Sequence, residues 1–279
     1  MRASAIWIGN VRQNTAVLGT GACRAAIVLL AAVAGSAVAA APAAATLRVR
    51  LSVIAGAAAV HDAPKAIAPP SRRHGATIAG VEAAVEARAQ PGTGSGVWWV
   101  GIATSWTGEP QVLLVLGSAD HGGREWVRVL LPIRPNGTTA WIPRNDVQLL
   151  HTSYWITVDK RARTVSVYGN GKRLHRFHAV IGKPATPTPD GLAAIYEIDP
   201  QPDPTGFLGP WALPLTVFSN VLRSFGGGPG RVAIHGRDGA SLHDPLGSAR
   251  SHGCIRINND PITWMAHHIP QGTPVQITG

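Results

Sequence analysis

Two short motifs in the last third of the chain contain residues that can carry out acyl transfer. One is Ile234-His235-Gly236 and the other is Ser251-His252-Gly253-Cys254-Ile255-Arg256, with the cysteine 19 residues after the first histidine. A thiol is a poor nucleophile until it loses its proton, and an imidazole within hydrogen-bond reach can remove that proton. Gly253 permits an unusual backbone angle beside the sulfur. The backbone N–H groups of Gly253 and Cys254 could then face a developing oxyanion.

These residues resemble the motif of the L,D-transpeptidase (YkuD) family of bacterial cell-wall enzymes. That motif is a histidine, a spacer, then Ser or Thr followed by His-Gly-Cys, an apolar residue and Arg or Asn. The sequence fits it at His235 and at every position from 251 to 256, and the likeness extends over roughly 154–277, including the segments 187–191 and 211–225. The resemblance implies a mostly β, sandwich-type catalytic domain.

The resemblance also implies roles for individual residues. Cys254 would be the nucleophile and His235 the general base, with the carbonyl of Gly236 orienting the imidazole. His252 is kept near the sulfur in the family, and it also shares a face with Cys254 if both lie on a strand. We therefore expect three catalytic residues, Cys254, His235 and His252.

Four further residues form the predicted substrate-binding set: Ser251, Gly253, Gly236 and Arg256. Ser251 is suited to a structural hydrogen bond. Arg256 could bind the acidic stem peptide or hold the motif loop through a salt bridge, and the sequence leaves both open. Asp238 and Asp244 could orient the base in a Cys-His-Asp arrangement, although aspartates in such a spacer more often serve turns.

A zinc site is the main rival chemistry. His235, His243, His252 and Cys254 are all ligand types that zinc uses. The sequence has no C-x-x-C or H-E-x-x-H element, and the spacer is too loose to preset a tetrahedral site. We expect no metal and no organic cofactor.

The charge of the chain suits an anionic environment. Its formal net charge is +10, without a long run of one sign. The basic residues are scattered and are not interleaved with aromatic residues as in single-strand binders, which argues against nucleic acid as a partner. Anionic wall polymers are a partner that the charge fits equally well.

The first 41 residues indicate export. Arg2, Arg12 and Arg24 occur with no acidic residue, and an apolar, alanine-rich run then ends in Ala39-Ala40-Ala41. This is the pattern of a signal peptide with a small-residue cleavage site. The run is short for a membrane span, so a retained anchor is the lesser alternative, and only that alternative would give a membrane contact.

Cleavage after Ala41 would leave Cys254 as the only cysteine, because Cys23 would be removed. A lone thiol in an oxidising compartment has no internal disulfide partner, and inside a His-Gly-Cys motif it is more often catalytic than structural. Removal of the three N-terminal arginines would leave a net charge of +7. We therefore expect an exported protein of the cell envelope or cell wall.

Composition divides the rest of the chain into three parts. Residues 42–95 are rich in Ala, Pro and Gly and are predicted to be a linker, with a candidate strand at 47–54 and a brief helix at 80–88. Residues 96–150 contain short strands bounded by Gly, Pro and Asn, which predicts a small β-barrel that resembles an SH3-like module. Four of its tryptophans, Trp98, Trp99, Trp126 and Trp141, could bind sugars but are more often core residues of such a barrel.

Residues 151–279 are the predicted catalytic domain. Alternating strands run through 154–158 and 164–168, a Gly169-Asn-Gly turn leads into 174–181, and His235 ends a buried strand. Asp260-Pro261 predicts the start of a single helix through His268, followed by a closing strand at 274–277. The predicted fold is thus mostly β with one C-terminal helix.

The function implied is that of an L,D-transpeptidase that forms 3→3 cross-links in peptidoglycan through a cysteine thioester, with donor and acceptor stem peptides as partners and carbapenems as acylating inhibitors. Two alternatives share the first half-reaction: an L,D-carboxypeptidase, which uses water, and a transferase that anchors a protein amine to the wall. A third alternative is a non-catalytic wall-binding module that uses the tryptophans.

Overall fold

The computed structural model describes residues 56–59 and 66–279. Within them the chain forms nineteen strands and one α-helix, so the predicted mostly β fold with a single helix is confirmed. The predicted export segment 1–41 and the candidate strand 47–54 lie outside the described residues. No helix in the described part of the chain is long and apolar enough to span a membrane.

The first eight strands form one antiparallel sheet, in the order β1-β8-β2-β5-β6-β7-β3-β4. The strands are β1 (Ala58–Ala59), β2 (Ala76–Val81), β3 (Val85–Arg88), β4 (Gly96–Val100), β5 (Val112–His121), β6 (Arg124–Leu130), β7 (Thr139–Pro143) and β8 (Val147–Thr152). The inner face packs into a core of aliphatic residues such as Val127, Val129 and Ile142. We call this unit the front module; its assignment to the SH3-like class stays a prediction.

The structure differs from the sequence prediction at the start of the front module. Residues 76–81 and 85–88 were predicted as linker, with a helix at 80–88, and both segments are strands of the sheet. The reason is tertiary: Ile78 and Ala79 of β2 are fully buried and pair with both β5 and β8. Small residues here fit a tightly packed sheet interior, where composition alone resembles that of a linker.

The second unit contains two main sheets. Its strands are β9 (Tyr154–Asp159), β10 (Thr164–Gly169), β11 (Lys172–His178), β12 (Ile181–Gly182), β13 (Gly191–Ala194), β14 (Asp199–Pro200), β15 (Trp211–Phe218), β16 (Arg231–His235), β17 (Ala249–Ser251), β18 (Ile255–Arg256) and β19 (Pro274–Thr278). One sheet has the order β11-β10-β9-β19-β13 and the other β14-β15-β16-β18. Aliphatic side chains of both sheets share one core with the helix, which gives the sandwich its two layers.

The helix α1 spans Asn259–His268 and covers one end of this core. It begins before the predicted Asp260-Pro261 start, with Asn258 as the N-cap residue, so Pro261 lies in the first turn. Proline is tolerated there because the first N–H groups of a helix have no intrahelical acceptor. Ile262 and Met265 are fully buried against the sheets.

Polar side chains that are removed from water join the two units. Glu197 is fully buried, and its Oε1 accepts hydrogen bonds from the N–H (3.0 Å) and the hydroxyl (2.9 Å) of Thr107 in the front module. The Tyr196 hydroxyl accepts a hydrogen bond from the N–H of Ser105 at 3.1 Å. Buried hydrogen bonds of this kind are costly to break, so the two units are held in one arrangement.

A second contact between the units joins Arg134 and Asn136 of the front module to the segment 218–230, which we call the flanking loop. Arg134 donates to the carbonyls of Ser219 (2.7 Å), Leu222 (3.2 Å) and Pro229 (3.0 Å). Asn136 both accepts from the N–H of Phe218 and donates to its carbonyl, each at 2.8 Å. The front module therefore fixes the conformation of a loop that belongs to the second unit.

We expect Arg134→Ala to loosen the flanking loop. The change removes three hydrogen bonds to backbone carbonyls, which should lower the free energy of unfolding by on the order of 2 kcal/mol. Amide hydrogen exchange should rise in residues 219–230 and not in α1. Arg128→Ala, an exposed arginine of the same module, is the control. Equal exchange in both variants would show that Arg134 does not hold the loop.

Candidate active site

Strand pairing brings the two motifs together. β16, which ends at His235, pairs in parallel with β18, and the register aligns Ile234 with Ile255 and His235 with Arg256. Cys254 directly precedes β18 and therefore lies beside the last residues of β16. The imidazole of His235 is only 1% exposed. Two motifs that are distant in sequence thus meet at one end of the smaller sheet.

The tautomer of His235 is set by a backbone carbonyl. Its Nδ1 lies 2.6 Å from the carbonyl oxygen of Gly236, as the resemblance implied. A carbonyl can only accept, so Nδ1 carries the proton and Nε2 of the neutral ring has a free lone pair. Burial and the charge of Arg256 lower the pKa of His235 to about 4. Hydrogen bonds with the carbonyls of Gly236 and Leu208 raise this pKa, but by less than the other two effects lower it. The imidazole is therefore a neutral base at physiological pH.

Gly236 contributes through its small size. A Cβ at this position would lie 2.5 Å from Oδ1 of Asn259 and 3.1 Å from the carbonyl oxygen of Leu208. Its own N–H donates to the carbonyl of Trp211 at 3.1 Å. The structure thus gives Gly236 a positioning role beside the base, and the substrate contact predicted for it stays a prediction.

Cys254 is a partly exposed residue whose thiol is protonated at rest. Desolvation raises the pKa of the thiol, and this outweighs a backbone hydrogen bond at Ala233 and the charge of Arg256, which lower it. Among the described residues there is no hydrogen bond between this sulfur and either His235 or His252. A neutral thiol beside a neutral imidazole is an arrangement without a preformed thiolate–imidazolium ion pair.

The turn before the cysteine is closed by Ser251. The Ser251 hydroxyl donates to the carbonyl of Cys254 at 2.6 Å and accepts from the N–H of Gly253 at 3.1 Å. The structural hydrogen bond predicted for Ser251 is therefore present. It also changes the predicted oxyanion site, because the N–H of Gly253 is already used. Of the two predicted donors, only the N–H of Cys254 has no acceptor within the described part of the chain.

Gly253 has a φ angle of +122°, a region that side chains strongly disfavour. We expect Gly253→Ala to destabilise the protein by about 1–3 kcal/mol and to slow acylation, since the strain would shift the sulfur beside it. Denaturant unfolding and the rate of acyl-enzyme formation would measure both effects. Gly247→Ala, also at positive φ but with open space around it, is the control. If the two variants acylate equally fast, the turn geometry does not matter for the reaction.

His252 does not share a strand with Cys254. β17 ends at Ser251 and β18 begins at Ile255, so residues 252–254 form the turn between them and the alternation of a strand does not apply. The His252 ring stacks on Phe225 with centroids 5.0 Å apart, and its Nε2 lies 3.4 Å from Nζ of Lys183. Desolvation and the charge of Lys183 lower its pKa. These contacts place His252 on the rim of the site.

Arg256 is 4% exposed, and its Nη1 forms a 2.7 Å salt bridge with Asp244. Its guanidinium also lies over the ring of Phe207, with Cζ 4.7 Å from the centroid. The structure therefore contains the salt bridge that was one of the two predicted roles. Asp244 is engaged with Arg256 and Asp238 caps the short 3-10 helix at 239–243, so neither orients His235.

Several residues of the site were not singled out from the sequence. Thr188 accepts from the N–H of Gly182 at 2.9 Å and donates to the carbonyl of Gly253 at 2.8 Å, which ties the 183–190 loop to the cysteine turn. Phe207 and Phe225 are 45% and 50% exposed and flank the site on the His235 and His252 sides. The Pro187-Thr-Pro segment was the only sequence signal for Thr188, and the family-like segment 211–225 was the only one for Phe225; Phe207 had none.

The zinc set considered from the sequence is not assembled. Over residues 56–59 and 66–279, no three His, Cys, Asp or Glu side chains are grouped so that they could hold a metal ion. His243 ends the 3-10 helix, and the side chains of His235 and His252 are directed to different partners.

Comparison with known proteins decides the family of this unit. Residues 153–277 match the model of the YkuD family, described as the L,D-transpeptidase catalytic domain. This segment is a YkuD-type catalytic domain. It contains both motifs, His235 at the end of β16 and Cys254 before β18.

The YkuD-type domain accounts for the similarity to curated proteins. The YkuD protein of Bacillus licheniformis is 32% identical over 125 residues, which are 45% of this chain and 66% of that protein. The YkuD protein of Bacillus subtilis is 31% identical over 124 residues, which are 44% of this chain and 65% of that protein. The chain thus spans about two thirds of these relatives or slightly less.

The structure is also similar to solved L,D-transpeptidases. One from Mycobacterium tuberculosis is 15% identical, with a TM-score of 0.39, over 72% of this chain and 98% of that chain. One from Mycobacterium smegmatis is 18% identical, with a TM-score of 0.38, over 64% of this chain and 93% of that chain.

We expect the thiol of the YkuD-type domain to react slowly with small alkylating reagents at neutral pH. Because burial raises the pKa of Cys254, the thiolate fraction should keep rising with pH through the neutral range, without a plateau. Peptide mapping is needed to separate Cys254 from Cys23. A plateau of the Cys254 rate that begins on the acidic side of neutrality would indicate a thiolate–imidazolium pair instead.

Proposed function

We propose that the protein is a peptidoglycan L,D-transpeptidase that forms 3→3 cross-links through a thioester on Cys254. The observation that carries the proposal is the pairing of β16 with β18 within a YkuD-type domain. This pairing brings a buried, neutral imidazole next to the only cysteine of that domain.

In the first half-reaction, the sulfur attacks the carbonyl between the third residue and the terminal D-Ala of a tetrapeptide stem. Nε2 of His235 takes the thiol proton as the S–C bond forms, and the N–H of Cys254 is the candidate donor to the oxyanion. The C–N bond then breaks, and the departing amine of D-Ala receives the proton from the imidazolium. The product of this step is a thioester on Cys254.

In the second half-reaction, the amine of a neighbouring stem, such as that of diaminopimelate, attacks the thioester carbonyl. His235 takes a proton from this amine as the new C–N bond forms, and returns it to the sulfur as the S–C bond breaks. The exposed phenylalanines on either side of the site, Phe207 and Phe225, offer apolar walls for the two stems. Exclusion of water by these walls would favour transfer to an amine over hydrolysis.

The location of the reaction is part of the proposal. A signal segment in residues 1–41, with cleavage after Ala41, would deliver the enzyme to the cell envelope, where its substrate lies. The net positive charge supports contact with anionic wall polymers. Carbapenems are proposed to acylate Cys254, because the family resemblance implies that they act as mimics of the donor.

Product analysis with a purified disaccharide-tetrapeptide tests the proposal against its alternatives. We expect D-Ala release together with a cross-linked dimer. Release of D-Ala with tripeptide as the only product would make the protein an L,D-carboxypeptidase. Transfer to an added protein amine in preference to the stem would indicate an anchoring transferase, and no release at all would favour a binding module.

A further inference from the structure

The outer face of the front module carries tryptophan and arginine where an antiparallel sheet is ordinarily covered by small polar side chains. Strand alternation sends Val127, Val129 and Ile142 into the core and their neighbours outward. Six of the outward residues are Trp99, Trp126, Trp141, Arg88, Arg124 and Arg128. The four tryptophans singled out from the sequence lie outside the aliphatic core cluster, and of these four only Trp126 is buried, so the core role expected for most of them is not what the structure shows.

These side chains are neighbours across four strands. Arg88 of β3 pairs with Trp141 of β7, which also pairs with Arg128 of β6. Glu86, two residues before Arg88 and on the same face, pairs with Trp99 of β4. The face therefore presents a continuous band of aromatic rings and charges that reaches β4, the edge of the sheet.

A cleft of about 370 Å³ adjoins this band: Arg88, Arg124 and Trp126 line it, and Trp99, Trp141 and Arg128 do not. Glu86, Arg88, His121, Arg124 and Trp126 are among the residues that line it. The guanidinium of Arg124 lies over the Trp126 ring, with Cζ 5.6 Å from the centroid, and Arg88 is held by Glu86 at 3.3 Å. Trp126 is only 4% exposed, and its indole Nε1 has no hydrogen-bond partner among the described residues, although buried indole N–H groups usually find one.

The chemistry of the band selects a ligand class. The flat face of an indole packs against the apolar C–H face of a pyranose ring. Trp99 is 64% exposed and lies on β4, next to β3, whose residues line the cleft. Arginine binds carboxylates through charge-assisted hydrogen bonds, and a carboxylate such as Glu86 accepts hydrogen bonds from sugar hydroxyls. An open band that ends at a sheet edge suits a linear polymer, whereas a small molecule is ordinarily bound in an enclosed pocket.

We propose that the outer face of β3, β4, β6 and β7 is a second binding site, for a linear glycan that carries carboxylates. Sugar rings would stack on Trp99 and Trp141, and a carboxylate would lie between Arg88 and Arg124 in the cleft. The choice of the wall glycan as the natural polymer rests on the proposed function. The site would hold the enzyme on the same polymer whose stem peptides enter the active site.

Sedimentation of the full chain with insoluble peptidoglycan, and with glycan strands freed of stem peptides, tests this site. Replacing both Trp99 and Trp141 by Ala should weaken binding to both polymers by roughly tenfold or more. Trp98→Ala is the matched control. Trp98 is also exposed and adjacent to Trp99 on β4, but it pairs with the buried Ala87 and therefore lies on the opposite face of the sheet from the band. It should bind like the unchanged protein.

D-Ala release from a soluble disaccharide-tetrapeptide is measured in the same preparations, so that the two proposals fail separately. Unchanged release with weakened sedimentation supports the second site, and sedimentation without any release would leave this site standing while the proposed function fails. If the double variant does not fold, Arg124→Gln is used in its place, because Arg124 is exposed and its replacement should not disturb the fold. This variant should also sediment less with both polymers. Equal sedimentation of all variants, or displacement by single-stranded DNA and not by glycan, would overturn the inference.

Discussion

Cys254→Ala is expected to abolish D-Ala release from a tetrapeptide donor. Removal of a covalent nucleophile typically costs several orders of magnitude, and on the order of 10⁴-fold or more is expected here because no other thiol lies in the YkuD-type domain. The substitution should affect the rate of reaction and not the folding of the protein. The side chain is small and lies in a turn whose hydrogen bonds come from Ser251 and Thr188, so the fold should survive.

Two measurements separate this effect from simple damage. The unfolding midpoint of Cys254→Ala should stay close to that of the unchanged protein, and the variant should still bind the donor peptide. Cys254→Ser keeps a weaker nucleophile in place and should show slow release rather than none. Unchanged release by Cys254→Ala would remove the thiol from the mechanism altogether.

His235→Ala is expected to slow the reaction by about 10²–10⁴-fold, the usual contribution of a general base. The loss should shrink as pH rises. The variant must rely on spontaneous ionisation of a thiol whose pKa is raised by burial, and the thiolate fraction increases with pH until that pKa is passed. In the unchanged protein, activity should not fall on the acidic side until His235 protonates, near its pKa of about 4.

His252→Ala is the matched control for the base. Its ring contacts Lys183 and Phe225, so a loss of less than about tenfold is expected, with no change in the shape of the pH profile. A loss as large as that of His235→Ala would move the base to His252. A pH-independent loss in His235→Ala would mean that the imidazole positions the substrate and does not transfer the proton.

The family resemblance predicted that His235 and Cys254 belong to one site, and local rules account for the elements that carry them. His235 ends an apolar strand, and Gly253 beside the cysteine indicates a special backbone angle. The hairpin at Asn170-Gly171 likewise follows from turn chemistry, since both residues have positive φ. These local features are predictable because each depends only on residues that are close together in the sequence.

The contacts that hold the site depend on distant segments and were not predictable in this way. Thr188 binds Gly253 across 65 residues of sequence, and Arg134 binds the flanking loop from the connection between β6 and β7. His252 would share a face with Cys254 only on a common strand, whereas both lie in the turn between β17 and β18. The β2 and β3 segments were mistaken for linker because their small residues find partners only in the folded sheet.

The positions of the tryptophans were also not predictable from the sequence alone. A core role is typical of tryptophans in a small barrel, yet aliphatic residues fill the core cluster and, of the four tryptophans named from the sequence, only Trp126 is buried. Only the register of β3, β4, β6 and β7 shows that three of them share one face with three arginines. The binding role proposed for this face therefore rests on the structure and not on composition.

Intact mass spectrometry of the unchanged protein mixed with disaccharide-tetrapeptide tests whether a thioester forms on Cys254. We expect a transient adduct with the mass of the donor less D-Ala, and peptide mapping should place it on Cys254 and not on Cys23. A product that forms with no adduct under rapid quenching, or an adduct on any other residue, would contradict a thioester at Cys254.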